Sequence, residues 1–282
     1  MLDLGPWPDG FHVLTHLPDA ISAMSPILVS VHGISRNAEE HLAEFRRASA
    51  GRAIVLCPQY DAGAFRKYQS LGIGRLELRS DLLLEAALER LRHCLGVPVD
   101  TIDLFGFSGG AQFAHRFAML YPDRIRSLHL AAAGYYTFLD DKTAWPRGCH
   151  GAAGPSIIAG KAHFLRLPVR LYIGARDVKR DDTLRKGARI DSQQGPDRLS
   201  RARAWRAHIQ GQKSAGDPPV TLQVLPRVGH SFKEACRRNA PGLAALVMRA
   251  VEGEVRPERA TSQLGAPRLA AAASADIMRA VG

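Results

Sequence analysis

TIDLFGFSGGAQFAHRFAML, residues 101–120, changes its period halfway along. TIDLF is a short apolar run of strand character. AQFAHRFAML places Phe113, Phe117 and Leu120 at helical spacing. Between them stands Gly106-Phe107-Ser108-Gly109-Gly110, the only G-x-S-x-G in the chain. A serine on a sharp strand-to-helix turn carries its hydroxyl above the edge of a sheet, and glycines flank it because neighbouring backbone leaves no room for a Cβ. The competing reading is the glycine-rich turn of a nucleotide-binding fold. It fails because the stretch has neither G-x-G-x-x-G nor the lysine of a phosphate-binding loop.

Working outward, further strand-like runs lie at 11–17, 26–32, 53–58, 127–133, 168–173 and 220–225. Most are apolar throughout, as in a parallel sheet covered on both faces. Helical patterns separate them. Asn37 and Glu40 have capping-box spacing ahead of Leu42 and Phe45. Residues 80–95 put Leu84, Leu88, Leu91 and Leu95 on one face, with Gly96 as the stop. Residues 198–213 read as a basic helix with Trp205 turned inward, and Pro241 opens a final helix. The expected fold class is α/β, a mostly parallel sheet with helices on both faces. One domain is expected over 1–255. A lid insertion is expected at 134–167, a Gly-, Tyr- and Trp-bearing segment too long for an ordinary connection. The Ala-rich stretch 256–282 is expected to be a weakly ordered tail.

A serine hydroxyl needs a base to become a nucleophile. His230 is the best placed of eleven histidines, on the loop after the last strand. An imidazole in that role needs a carboxylate to orient it. Asp177, at the end of YIGARD, is the first choice, and Asp181 and Asp182 are rivals in the same loop. The order Ser108, Asp177, His230 is then the acyl-hydrolase order. An oxyanion needs two N–H donors. Gly109 should supply one and Ile34 the other, with Ser35 second to Ile34. His32 beside them either serves the reaction or simply holds its loop by a hydrogen bond. Tyr135, Tyr136 and Trp145 are expected to line the acyl or alcohol pocket, against the alternative that they anchor the insertion on the core.

Taken together, the strand ending in His32-Gly33, the GFSGG turn, GARD (174–177) and VGH (228–230) resemble the α/β-hydrolase superfamily across residues 26–252. HGISRNAEE (32–40) and GFSGGAQFAHRFAMLYPDRI (106–125) are most similar to esterases related to polyhydroxybutyrate depolymerases and feruloyl esterases. The resemblance implies hydrolysis of a carboxylic ester or a related acyl bond through an acyl-enzyme. An acyltransferase or a peptidase with the same three residues, and a non-catalytic binding protein on the same scaffold, are the other readings.

Composition narrows the partners. The 282 residues carry a formal net charge of +11, with a dense basic zone from Lys179 to Lys213, yet no nucleic-acid motif accompanies them. The four cysteines are far apart and contain no C-x-x-C, so no metal site is expected, and no cofactor. MLDLGPWPDGFHVL lacks the basic and apolar regions of a signal peptide, and no run is long enough to span a membrane. These features predict a cytoplasmic protein with no nucleic-acid or membrane partner, and the resemblance implies a small-molecule ester as its substrate. A homodimer is one expectation for its quaternary state.

Overall fold

The computed structural model describes residues 2–74 and 78–253, so the tail expected at 256–282 lies outside the described residues. Seven strands form one sheet: β1 (Phe11–His16), β2 (Ile27–Val31), β3 (Ile54–Tyr60), β4 (Ile102–Phe107), β5 (Ile125–Ala131), β6 (Val169–Gly174) and β7 (Val220–Leu225). Their order is β1-β3-β2-β4-β5-β6-β7. Only β1 is antiparallel to its neighbour, and the other pairings are parallel. The expected α/β architecture is the observed one. The helices are α1 (Ala38–Ala48), α2 (Ser80–Leu95), α3 (Gly109–Leu120), α4 (Gly154–Leu165), α5 (Ala188–Gln194), α6 (Arg198–Gln210), α7 (Phe232–Arg237) and α8 (Leu243–Gly253).

The alternation of a strand sorts its side chains between two cores. Leu28 faces one and Val29 and Val31 the other. The first core takes Phe45 of α1, Phe232 of α7 and Val247 of α8. The second takes Leu84, Leu88 and Leu91 of α2, Phe113 and Phe117 of α3, Ile157 of α4 and Trp205 of α6. Leu84, Leu88 and Leu91 of that stripe are fully buried and Leu95 partly so, and each fully buried side chain contributes about 2 kcal/mol by leaving water. Gly96 ends that helix at φ 63°, the left-handed stop its sequence predicts.

Three details differ from the sequence expectations. Asn37 does not cap α1, because its amide is held between Ser35 and the Glu40 carboxylate. The capping box belongs to α6, where Asp197 and Ser200 bond each other's backbone. Within 134–167, residues 154–165 form α4, the crossover helix between β5 and β6, which leaves 132–153 as irregular chain.

The G-x-S-x-G turn shows why its glycines are needed. A Cβ on Gly106 would stand 2.2 Å from the Gly110 carbonyl oxygen, and one on Gly110 would stand 2.0 Å from the Val31 carbonyl oxygen. Strand β2, the turn and α3 therefore pack backbone against backbone. Gly110→Ala should lower Tm by roughly 5–10 °C, the overpacking cost of a clash that backbone cannot relieve. Gly253→Ala, where a Cβ would meet nothing within 4 Å, should melt close to wild type. Differential scanning calorimetry of the two variants checks both outcomes.

Candidate active site

Ser108 sits between β4 and α3 at φ 54° and ψ −111°, a conformation that a side chain with a Cβ rarely adopts. The turn is pinned on both sides. Ser108 N–H donates to the Ala131 carbonyl at 2.8 Å, and the Ser108 carbonyl accepts from Gln112 N–H at 3.2 Å. The hydroxyl is thereby raised at the carboxyl edge of the sheet, where the loops after β6 and β7 arrive.

Those two loops are built against each other. A Cβ on Gly174 would stand 2.3 Å from the Val228 carbonyl oxygen, so the chains touch at backbone distance. Ala175 N–H donates to the Leu225 carbonyl and Arg176 N–H to the Val228 carbonyl, at 2.9 and 2.8 Å. Gly229 N–H donates to Glu234 at the start of α7. Held this way, Asp177 and His230 meet: His230 Nδ1 lies 2.7 Å from Asp177 Oδ2, and His230 Nε2 lies 3.0 Å from Ser108 Oγ. Asp177 is buried, and the His230 ring leans on Phe107. Of the three carboxylates in the loop, Asp177 alone reaches the imidazole. Asp181 bonds Arg198 and Thr183, and Asp182 is fully exposed beside Lys186.

Ile34 and Gly109 adjoin. A Cβ on Gly109 would stand 3.5 Å from Ile34 N and 2.8 Å from the Tyr68 hydroxyl. His32 holds this corner together: its Nδ1–H donates to the Gly33 carbonyl at 2.7 Å, and its Nε2 accepts from Tyr60 N–H at 3.1 Å. The Tyr68 hydroxyl donates to the His32 carbonyl at 2.6 Å. Tyr68 gave no sign in the sequence, because it comes from a 3₁₀ turn, Tyr68–Ser70, that has no periodicity to read.

The three aromatic residues expected to line a pocket lie in different surroundings. Tyr135 is buried beneath the guanidinium groups of Arg116 and Arg185, whose carbon centres lie 4.8 and 5.5 Å from its ring. Burial pushes the pKa of its hydroxyl up, but the two arginines outweigh burial and leave it below the ordinary tyrosine range. Tyr136 is packed in the core, stacked on Trp205 at 5.0 Å with its backbone held by Gln194. Trp145 is half-buried, with Arg116 over its ring at 5.7 Å.

Sequence reading also missed Arg198. It opens the basic helix read over 198–213, yet Arg198 and Arg201 are fully buried. The signal was present: counting helically back from the inward Trp205 puts Ala202, Arg201 and Arg198 on the same face. Arg198 Nη1 lies 3.2 Å from Asp177 Oδ1.

Among the described residues, no three His, Cys, Asp or Glu side chains gather as a metal site, and no helix is long and apolar enough to cross a membrane. No protein-family model matches the sequence, and no curated protein matches it. Solved structures do. One is poly(aspartic acid) hydrolase-1 from Sphingomonas sp. KT-1, with TM-score 0.71 and 25% identity over 86% of this chain and 92% of that one. Another is a poly(3-hydroxybutyrate) depolymerase from Bordetella parapertussis, with TM-score 0.70 and 20% identity over 88% of this chain and 86% of that one.

Four buried histidines carry a consequence for stability. Burial pushes His32 down to about 4 and His129 down to about 3, and it lowers His41 and His115 well below 6.5. All four are therefore neutral in the folded protein across a range where the unfolded chain takes up protons. Their contribution is complete above pH 6.5 and is lost as pH falls from there toward 4. The loss should approach about 1.4 kcal/mol per pH unit for each histidine. Urea unfolding at stepped pH should show this slope, and His129→Gln should reduce it by about one proton's worth.

Proposed function

We propose that this chain, which has the α/β-hydrolase fold, is a serine hydrolase that cleaves a carboxylic ester through an acyl-enzyme intermediate. The observation that carries the reading is the continuous row from Ser108 Oγ through His230 to Asp177, at 3.0 and 2.7 Å.

In this reading Ser108 Oγ attacks the carbonyl carbon while its proton passes to His230 Nε2. His230 Nδ1–H donates to Asp177 Oδ2, which fixes the tautomer with a free Nε2 lone pair and stabilises the imidazolium that forms. The negative oxygen of the tetrahedral intermediate is received by the N–H groups of Ile34 and Gly109. The helix α3 N-terminus, aimed at the same point, favours that charge. Collapse breaks the bond to the alkoxy group, which leaves with the proton from His230. Water then attacks the acyl-enzyme, His230 takes its proton, and Ser108 is released with the acid product. Tyr135 and Trp145 flank the entry from the 132–153 segment, which serves as a lid. Tyr136 contributes by anchoring that segment to α6. The reaction needs no metal and no organic cofactor. The setting we propose is cytoplasmic, with a small ester as substrate.

A second reading concerns the bond and the charge of the substrate. The similar Sphingomonas protein is a poly(aspartic acid) hydrolase, and the triad chemistry serves an amide as well as an ester. Lys179, Arg180 and Arg185 stand exposed on the loop that carries Asp177, so a carboxylate-bearing substrate would be drawn to this edge.

Three measurements test these readings. Ser108→Ala should fold normally and lose about six orders of magnitude in kcat on p-nitrophenyl acetate. Asp177→Asn should lose up to about four, while Asp182→Asn stays near wild type. An active Ser108→Ala enzyme removes the serine mechanism, and an acyl product appearing on an added alcohol in preference to water moves the assignment to acyltransferase. For the charge reading, kcat/KM for a carboxylate-bearing ester should fall with added salt while that for a neutral ester holds. Parallel responses of the two esters exclude steering.

A further inference from the structure

Asp177 has two carboxylate oxygens, and His230 uses one. The other, Oδ1, accepts from Arg198 Nη1 at 3.2 Å, and both side chains are 1% exposed. Arg198 is shared. The same Nη1 reaches Asp181 Oδ2 at 3.2 Å, while Nη2 reaches Asp181 Oδ1 at 3.2 Å and Thr183 Oγ1 at 2.6 Å. Its Nε is buried without a partner, so every side-chain hydrogen bond that Arg198 makes is directed at this one loop. The result is a row of alternating charge: His230, Asp177, Arg198, Asp181.

We propose that Arg198 is a positioning residue for the reaction: it aims Asp177 Oδ2 at His230 and, opposed by Asp181, sets the pH at which His230 becomes a base. This rests on the proposed triad. Two physical arguments carry it. First, a carboxylate rotates about its Cβ–Cγ bond unless both oxygens are held. Here His230 holds one and the fixed fork of a guanidinium holds the other. Secondly, Asp177 and Arg198 are both buried, so their charges act on the imidazole with little screening. A cation behind Asp177 offsets part of the negative charge that favours imidazolium. His230 therefore loses its proton at a lower pH than beside a lone aspartate. Asp181 works the other way by offsetting Arg198. The hydrogen bonds from Arg198 hold the Asp181 carboxyl well below the usual carboxylate range, so Asp181 is charged whenever the enzyme works. Further groups face the pair. The Tyr136 hydroxyl, from the chain after β5, lies within the field of Asp177. Glu234 of α7 binds the N–H of Gly229, next to His230. Arg176, next to Asp177, is exposed to solvent.

A structural role alone is the competing account, since Arg198 also closes the loop onto the first turn of α6. The sign of the pH response separates the two. The acidic limb of the kcat/KM profile reports the proton on His230 in the free enzyme. With p-nitrophenyl acetate, Arg198→Gln should move that limb up by about one unit and lower the plateau, because Asp177 then acts on the imidazole uncompensated. Arg198→Lys, which keeps the charge but not the fork, should leave the limb near wild type with a reduced plateau. Asp181→Asn should move the limb down by about half a unit, the opposite direction. The proposal is overturned if the limbs of Arg198→Gln and Arg198→Lys coincide, or if Asp181→Asn leaves the limb unmoved or moves it upward. Should Arg198→Gln fail to fold, the Asp181→Asn shift decides alone. Failure of the triad itself reads out differently: the wild-type Ser108 then escapes labelling by a fluorophosphonate, and the proposal falls with it.

Discussion

The sheet edge that carries Ser108 depends on how closely backbone approaches backbone around that residue. Val31, Gly106 and Gly110 lie so near one another that a Cβ on either glycine would fall about 2 Å from a carbonyl oxygen. That closeness leaves the serine only a left-handed conformation, and it points the hydroxyl out of the turn. The strain is held because the turn has no slack. Ser108 N–H is bonded to β5, its carbonyl is bonded to α3, and the packed strands beneath cannot shift. A second close approach, Gly174 against Val228, does the same for the loops that bring Asp177 and His230. Three glycine contacts thus set the distances of the whole row.

Electrostatics then distinguishes the groups that this scaffold gathers. Burying a carboxylate is costly unless it is paired and hydrogen-bonded. Asp177 meets that requirement twice, through His230 and through Arg198. Asp181, half in solvent, balances the far side of the guanidinium. Arg201 repeats the pattern nearby: fully buried, it bonds the Gly134 and Gly195 carbonyls and pairs with Asp191. The cationic helix α6 is therefore a set of ties between loops at the sheet edge as well as a source of surface charge. Loops that carry reacting groups need such ties, since a shift of an ångström in a reacting group costs orders of magnitude in rate.

The histidines divide by the same logic. His32, His115 and His129 each have both ring nitrogens engaged by protein groups, and His41 has one. Burial keeps these rings neutral, so they serve as fixed hydrogen-bonding struts. His230 differs in position. It stands at the rim, one nitrogen on a carboxylate and the other on a hydroxyl. His32 illustrates how near the two roles lie in sequence: it borders the Ile34 loop, and its hydrogen bonds go to backbone.

Much of this was legible in the chain alone. The seven strand segments, the stop at Gly96 and the inward Trp205 all follow from local periodicity and backbone permissiveness, which neighbouring residues decide among themselves. The order of Ser108, Asp177 and His230 follows from where each falls after a strand. Other features needed the folded chain. Which of Asp177, Asp181 and Asp182 reaches His230 depends on the contact between two loops some 50 residues apart, a distance no local pattern encodes. The part of 134–167 that is a crossover helix, and the core position of Tyr136, depend on what α3 and α6 leave open for them. Arg198 makes the difference plainest. Its sequence neighbours are basic and polar and predict exposure, while its helical phase turns it inward. Only the presence of Asp177 and Asp181 opposite, supplied by another loop, makes burial of its charge affordable.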